Sequence, residues 1–234
     1  MTRRRWIADE VSGNQAALTG AHADHLICVL RARVGQEFDI VAGPVVRRGR
    51  IASIGDARVI FELGEELPAT SAADITLLLA IFKFDRMEWA IEKCTELGVA
   101  RIVPVIARRT EVHLASAAAR RSDRWRRIAL QAAEQSRGAA PPEIEAPVKL
   151  AEALNLGALR IVLAESEQET QLRDVLDSAE GGVTLAIGPE GGWTEDELQL
   201  FQKTGWIFAS LGSTILRAET AAIAATAIAI SELN

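Results

Sequence analysis

Two glycine-bearing loops near the C-terminus constrain this chain more than any other feature. One is Ile187-Gly188-Pro189-Glu190-Gly191-Gly192-Trp193; the other is Leu211-Gly212-Ser213-Thr214-Ile215-Leu216-Arg217-Ala218-Glu219-Thr220-Ala221. Each follows a short apolar run with the length of a buried strand, Val183 to Ile187 and Trp206 to Leu211, and each precedes a helical pattern. Ligands in open α/β sheets bind at the carboxyl ends of such strands. Glycine there lets the backbone approach a ligand or adopt positive φ. Two such loops close together predict a small-molecule site built largely from backbone.

Phosphate is the usual guest of a glycine-rich strand–loop–helix turn. The residues argue against it here. Neither G-x-G-x-x-G nor G-x-x-x-x-G-K-[ST] occurs, which also disfavours a nucleotide-binding dehydrogenase. Glu190 stands in the first loop, and the next helix opens Thr194-Glu195-Asp196-Glu197. Thr194 with Glu197 reads as a capping box. Three carboxylates suit the positive end of a helix dipole but repel a phosphate. A neutral or cationic ligand fits better, and S-adenosylmethionine carries a sulfonium. Taken alone, the acids read first as the cap of a surface helix.

The first 70 residues read as mostly β. A short helical stretch over Ala21 to Leu30 precedes candidate strands at Glu37–Val41, Arg50–Ile54 and Val59–Leu63, split by glycine turns. Closely spaced short strands predict a small barrel. Leu67 to Asp74 reads as a linker, which divides the chain into domains at 1–70 and 74–234. Beyond it, strand and helix alternate. Ile75 to Phe82 is a continuous apolar run, as expected of a parallel strand covered on both faces. Asp85 with Glu88 is read as the cap of the next helix, and a long helix is expected from about Ser116 to Gln135. Strands at Ile102–Ile106, Leu159–Ala164, Val183–Ile187 and Ile207–Leu211 complete an α/β parallel sheet. The last helix, rich in alanine from Ala218 to Ile230, suits either a dimer interface or an intramolecular core.

The net charge of −6 is unevenly spread. Residues 1–50 carry +3, residues 101–137 carry +6, and residues 143–200 carry −10. Such segregation allows a basic face on an acidic protein. The run Arg120, Arg121, Arg124, Arg126 and Arg127 is either a phosphate-contacting surface or a solvated helix face. No apolar run reaches the roughly 18 residues of a membrane span. The N-terminus lacks the apolar core of a signal peptide. Cys28 and Cys94 have no C-x-x-C context, so buried thiols in a reducing cytoplasm are expected. His22, His25 and His113 lack metal-ligand spacing; packing or capping is expected of them, and no metal. Trp193 reads either as a flank for a bound ring or as core.

Motifs along nearly the whole chain converge on one family. They are His25-Leu26-x-x-Val29-Leu30-Arg31; Lys83-x-Asp85-Arg86-Met87-Glu88 through Lys93-x-x-Glu96-Leu97-Gly98-Val99; and Ala132-Ala133-Glu134-Gln135-Ser136, followed by the two C-terminal loops. In this order they resemble the SPOUT methyltransferases. Among these they are most similar to the bacterial ribosomal RNA small subunit methyltransferase E family, which methylates N3 of a uridine in 16S ribosomal RNA. The resemblance implies an N-terminal PUA-like β-barrel that binds RNA and a C-terminal SPOUT domain with a deep trefoil knot over about residues 160–234. It further implies a cytoplasmic homodimer acting on the small ribosomal subunit.

The same resemblance implies that S-adenosylmethionine is held by Leu163, Ala164, Glu165, Ile187, Gly188, Pro189, Glu190, Gly191, Gly192, Leu211, Gly212, Ile215, Leu216, Arg217, Glu219 and Thr220. On the RNA side it implies Arg31, Arg33 and Lys83, with Arg137 taking the place of the basic residue the family usually has where Gly138 stands. Uracil N3 is protonated at neutral pH, so catalysis must remove that proton or stabilise the anion. Arg217 is the candidate for anion stabilisation, its alternative role being a salt bridge to Glu219 or Glu190. Glu190 or Glu134 is the candidate proton acceptor. Ribose 2′-O methylation and a non-catalytic RNA-binding or assembly role are the competing readings.

Overall fold

The fold comes from a computed structural model, which describes residues 5–43, 45–68, 74–136, 140–177, 179 and 181–233. The chain divides into two units, residues 1–71 with 133–140, and residues 72–132 with 141–234.

The first unit contains β1 (Arg5–Ile7), β2 (Glu10–Ser12), β3 (Gln15–Thr19), α1 (Gly20–Asp24), β4 (Glu37–Ala42), β5 (Val45–Gly55) and β6 (Arg58–Leu67). A π-helical turn, His25–Val29, continues α1. The strands form one sheet in the order β1-β4-β5-β6-β3-β2, parallel between β1 and β4 and antiparallel elsewhere. β5 carries two register shifts, which bend a long strand. Between them stands Gly49, where a Cβ would lie 2.4 Å from Ile40 Cγ1; only glycine lets Ile40 and Phe61 close over that strand. Leu18, Leu26, Ile40, Ile51, Val59 and Phe61 are fully buried in this unit's core. β1 to β3 were not expected from the sequence. Two of them have three residues, and β2 is exposed throughout, so no alternating pattern marks them.

The second unit runs β7 (Ile75–Ala80), α2 (Phe84–Leu97), β8 (Arg101–Ile106), α3 (Val112–Ala118), α4 (Ser122–Ser136), β9 (Glu143–Ile144), β10 (Val148–Lys149), α5 (Leu150–Ala153), β11 (Leu159–Leu163), α6 (Leu172–Leu176), β12 (Val183–Ile187), α7 (Glu195–Lys203), β13 (Ile207–Ala209) and α8 (Ala218–Leu233). The last residues of α4 group with the first unit. The sheet is wholly parallel among the described residues, in the order β10-β8-β7-β12-β11-β13, with β9 also on β8. Alternate strand residues feed two cores. Leu77, Leu79, Ile102, Ile161 and Leu185 face α2, α6 and α8, whereas Leu78, Ala80, Val103, Val162 and Ala186 face α5 and α7. Burial on both faces explains why β7 and β12 read as unbroken apolar runs.

Local expectations shift in four places. The long helix begins earlier, at Val112, and tightens into a 3-10 turn over Ala119–Arg121. Asp85 and Glu88 do not cap α2, which starts at Phe84 after Lys83 with no side-chain cap. Glu88 instead receives Arg124 Nε at 2.7 Å and Arg124 Nη2 at 2.8 Å, a bidentate pair stronger than a neutral cap. β13 is an edge strand, so Ile207 is 39% exposed rather than buried. Cys94 is buried as expected, but Cys28 is exposed.

Candidate active site

Strand order creates the site. The chain runs outward from β7 to β8 and β10, then crosses to β11, returns through β12 beside β7, and ends outside β11 with β13. The carboxyl ends of β12, β11 and β13 therefore lie side by side where the winding reverses, the position at which such sheets bind ligands. The loops that follow them, 164–171, 188–194 and 210–217, surround a cavity of about 900 Å³.

The loop after β12 is held by its neighbours. Gly192 has φ +69°, a left-handed conformation natural to glycine, and its N–H closes a turn on the Pro189 carbonyl at 2.8 Å. A Cβ on Gly188 would lie 3.3 Å from the Trp193 indole, so the loop backbone sits directly on that ring. Trp193 is buried against Phe201 in the core, and it also lines the cavity. The capping box is present: Glu197 Oε2 accepts the Thr194 N–H and hydroxyl, each at 2.9 Å. Arg109 Nη1 donates to the Gly191 carbonyl, and lies 3.4 Å from that of Trp193.

The loop after β13 turns at Gly212, φ +124°, whose N–H donates to Ser210 Oγ at 3.1 Å. Ser210 in turn binds the loop after β11: its N–H donates to the Thr170 carbonyl, and its own carbonyl accepts from Leu172 N–H. The three loops thus form a cradle lined by glycine-rich backbone together with the polar side chains Glu165, Glu167, Gln168, Glu190 and Arg217.

Of the residues expected to hold a ligand, Leu163, Ala164, Glu165, Ile187, Gly188, Pro189, Glu190, Gly191, Gly192, Leu211, Gly212, Ile215, Leu216 and Arg217 all line the cavity. Glu219 and Thr220 do not; Glu219 is buried behind the wall and Thr220 is exposed on α8. Arg217 is exposed, and among the described residues its side chain forms no ion pair, so the alternative bridge to Glu219 or Glu190 is not made. Glu165, Glu167 and Glu190 give the cavity carboxylates.

Arg31 and Arg33 are exposed in the first unit, Arg31 with a left-handed φ of +50° that is uncommon outside glycine. Lys83 is exposed at the start of α2, and Arg137 and Gly138 lie outside the described residues. Glu134 belongs to the first unit and does not line the cavity; its Oε1 sits 3.5 Å from His22 Nε2. His22 also meets Asp9 at 3.1 Å, a packing role like that of His25 against Trp6. Burial raises the Glu134 carboxyl above its ordinary range, against the pull of His22. No cluster of metal-binding side chains occurs among the described residues, and no helix there is long and apolar enough to cross a membrane.

Sequence reasoning did not single out Arg86, Arg109, Gln168, Gln171 or Ser210 as wall residues. Arg86 falls inside a quoted motif, so a signal for it existed. Arg109 follows β8, a different crossover, and nothing local marks it.

The RNA methyltransferase domain model matches residues 69–230. Ribosomal RNA small subunit methyltransferase E of Rickettsia conorii is 34% identical over 88% of this chain and 85% of its own length. A crystal structure of the protein of the same name from Neisseria gonorrhoeae, bound to S-adenosyl methionine, aligns with a TM-score of 0.85 at 31% identity, covering 97% of this chain and 96% of that one. A Legionella pneumophila methyltransferase structure in complex with the same cofactor gives 0.85 at 29% identity, covering 99% and 98%.

Proposed function

This chain belongs to the RNA methyltransferase family of the ribosomal RNA small subunit methyltransferase E proteins, and on that premise we propose that it transfers a methyl group from S-adenosylmethionine to N3 of a uridine in 16S ribosomal RNA. The observation that carries the reading is the three-loop cradle at the ends of β11, β12 and β13. Its volume of about 900 Å³ lies in the range of small-molecule sites. Its fit to this cofactor is chemical as well. Glu165, Glu167 and Glu190 suit a sulfonium and an ammonium, and the glycines admit a flat ring against backbone.

S-adenosylmethionine supplies an electrophilic methyl: the N3 lone pair forms the new C–N bond while the C–S bond breaks and its electrons remain on sulfur. The protein's residues do the rest. The braced loops fix the angle of approach, so positioning carries much of the rate. Glu190, exposed on the cavity wall, takes the N3 proton. Arg217, permanently charged and without a side-chain partner among the described residues, stabilises the charge that develops on the uracil oxygens.

The rest of the proposal follows the family. The first unit is a PUA-like RNA-binding barrel; Arg31, Arg33, Lys83 and Arg137 contact RNA phosphates; residues from about 160 onward form a trefoil knot; and the protein works as a cytoplasmic homodimer.

Transfer of labelled methyl to unmethylated small subunits, followed by nuclease digestion and mass spectrometry, tests the reading. The expected product is 3-methyluridine. A 2′-O-methylated nucleoside assigns ribose methylation instead, and RNA retention without cofactor binding assigns a non-catalytic role.

A further inference from the structure

Arg86 stands where helix electrostatics disfavour it. It lies in the first turn of α2, whose positive dipole end repels a cation. Glu219, in the first turn of α8, sits against it with Oε1 3.6 Å from Nη1. The Glu219 side chain is only 5% exposed, and its Oε2 has no hydrogen-bond partner among the described residues. Burying a carboxylate with one oxygen unsatisfied is costly. The pair returns little stability, because Arg86 is 31% exposed and the separation is too long for a hydrogen bond. The α8 dipole favours Glu219, so the cost falls on its unsatisfied oxygen and on Arg86, and a cation kept at a helix N-terminus points to a task for the arginine.

Its surroundings indicate which task. Arg86, Arg109 and Arg217 are the arginines on the cavity wall. Arg109 is occupied by the Gly191 and Trp193 carbonyls. Arg86 and Arg217 donate no side-chain hydrogen bond among the described residues and keep their guanidinium donors available. Arg86 comes from α2 and belongs to none of the three loops that form the cradle. Uracil N3 is flanked by two carbonyls, and loss of its proton spreads charge onto both oxygens. Two available guanidinium groups match two oxygens.

We propose that Arg86 is a second anion-stabilising catalytic residue, donating to one uracil carbonyl oxygen while Arg217 serves the other, and that Glu219 is its positioning residue. This rests on the uracil-N3 reading above. The bond changes are those already given, with the N3 proton passing to Glu190. Arg86 stays charged throughout and lowers the energy of the anion from which N3 attacks.

The test compares wild type with Arg86→Gln, Arg86→Lys and Glu219→Gln. Calorimetry measures cofactor affinity, and kcat is followed against pH on small subunits with the product nucleoside identified. In Arg86→Gln, cofactor affinity should stay within about threefold and kcat at neutral pH should fall roughly 100-fold, the loss typical of one anion donor. The rise of kcat with pH should also move to higher pH, since a less stabilised anion forms later; a merely structural role would not move it. Arg86→Lys should recover part of the rate, and Glu219→Gln should lose less than Arg86→Gln. If Glu219→Gln does not fold, Arg86→Gln at its half-exposed position still decides the matter. Wild-type kcat and pH profile in Arg86→Gln overturn the inference alone. Weakened cofactor binding with unchanged kcat at saturation also overturns it, assigning Arg86 to the cofactor's carboxylate. Wild-type methylation at another atom overturns the uracil-N3 reading and this inference together.

Discussion

Glu197 Oε1 accepts the backbone N–H of Arg108 at 2.8 Å, across 89 positions of sequence. Its other oxygen completes the cap of α7, so one buried carboxylate fastens the segment after β8 to the loop after β12. The same two segments are joined again by Arg109 at the Gly191 carbonyl. The wall of the candidate site is therefore rigid because two crossovers are tied together beneath it.

Replacing Glu197 with alanine should release that tie. It leaves the Arg108 and Thr194 N–H groups without their acceptor, which costs about 1–2 kcal/mol for each part-buried hydrogen bond lost. The melting temperature should fall by roughly 5 °C or more for a chain of this size. Cofactor affinity should fall with it. An unchanged melt by calorimetry would show that the carboxylate does not brace the fold.

Gly192→Ala places a side chain at φ +69°, at a cost of about 1–2 kcal/mol in the left-handed region. The loop should relax away from the cavity, weakening S-adenosylmethionine binding roughly tenfold while the melt changes little. Titration calorimetry on the variant measures this directly, and full affinity would mean the loop tolerates the strain in place.

Arg217→Ala should abolish methyl transfer and leave both cofactor affinity and melting temperature near wild type. The stability expectation follows from its exposure and its lack of a side-chain partner among the described residues. Retained turnover in the labelled-methyl assay removes Arg217 from the mechanism.

The pH dependence of stability should include a contribution from Glu134. Burial raises its carboxyl in the folded state. A raised group stabilises the fold below its unfolded value of 4.5, and that contribution is lost as pH rises through the folded value. At neutral pH the charged carboxylate thus opposes folding. Glu134→Gln should raise the melting temperature at pH 7, with the gain disappearing near pH 4. A destabilised variant at pH 7 would mean that attraction to His22 outweighs burial.

The two cysteines should differ in reactivity. Burial pushes the Cys94 thiol up to about 12, and its Sγ lies 3.5 Å from Thr226 Oγ1. Cys28 is exposed. Iodoacetamide at pH 8 should modify Cys28 in the native protein and reach Cys94 only after denaturation, as peptide mass spectrometry would record.

Much of this molecule is legible in local pattern. The unbroken runs Ile75–Ala80 and Val183–Ile187 declare parallel strands because both faces are covered, and Thr194 with Glu197 declares a helix start because a cap is a contact three residues long. The glycines at 192 and 212 mark turns through positive φ, and those at 188 and 191 mark where backbone packs on Trp193 and Arg109. These signals, with the ordered motifs, suffice for an α/β fold with a parallel sheet, the family and two of the three loops of the cradle. Other features have no local signature. β1 and β2 are too short to show a period, and Ile207 reads as core until β13 proves to be the last strand of its sheet. Arg109 reaches the wall only because β12 inserts beside β7, and Arg86 meets Glu219 only because α2 packs on α8. Strand order and helix pairing join residues more than a hundred positions apart, and no spacing along a chain encodes which distant segment will become a neighbour.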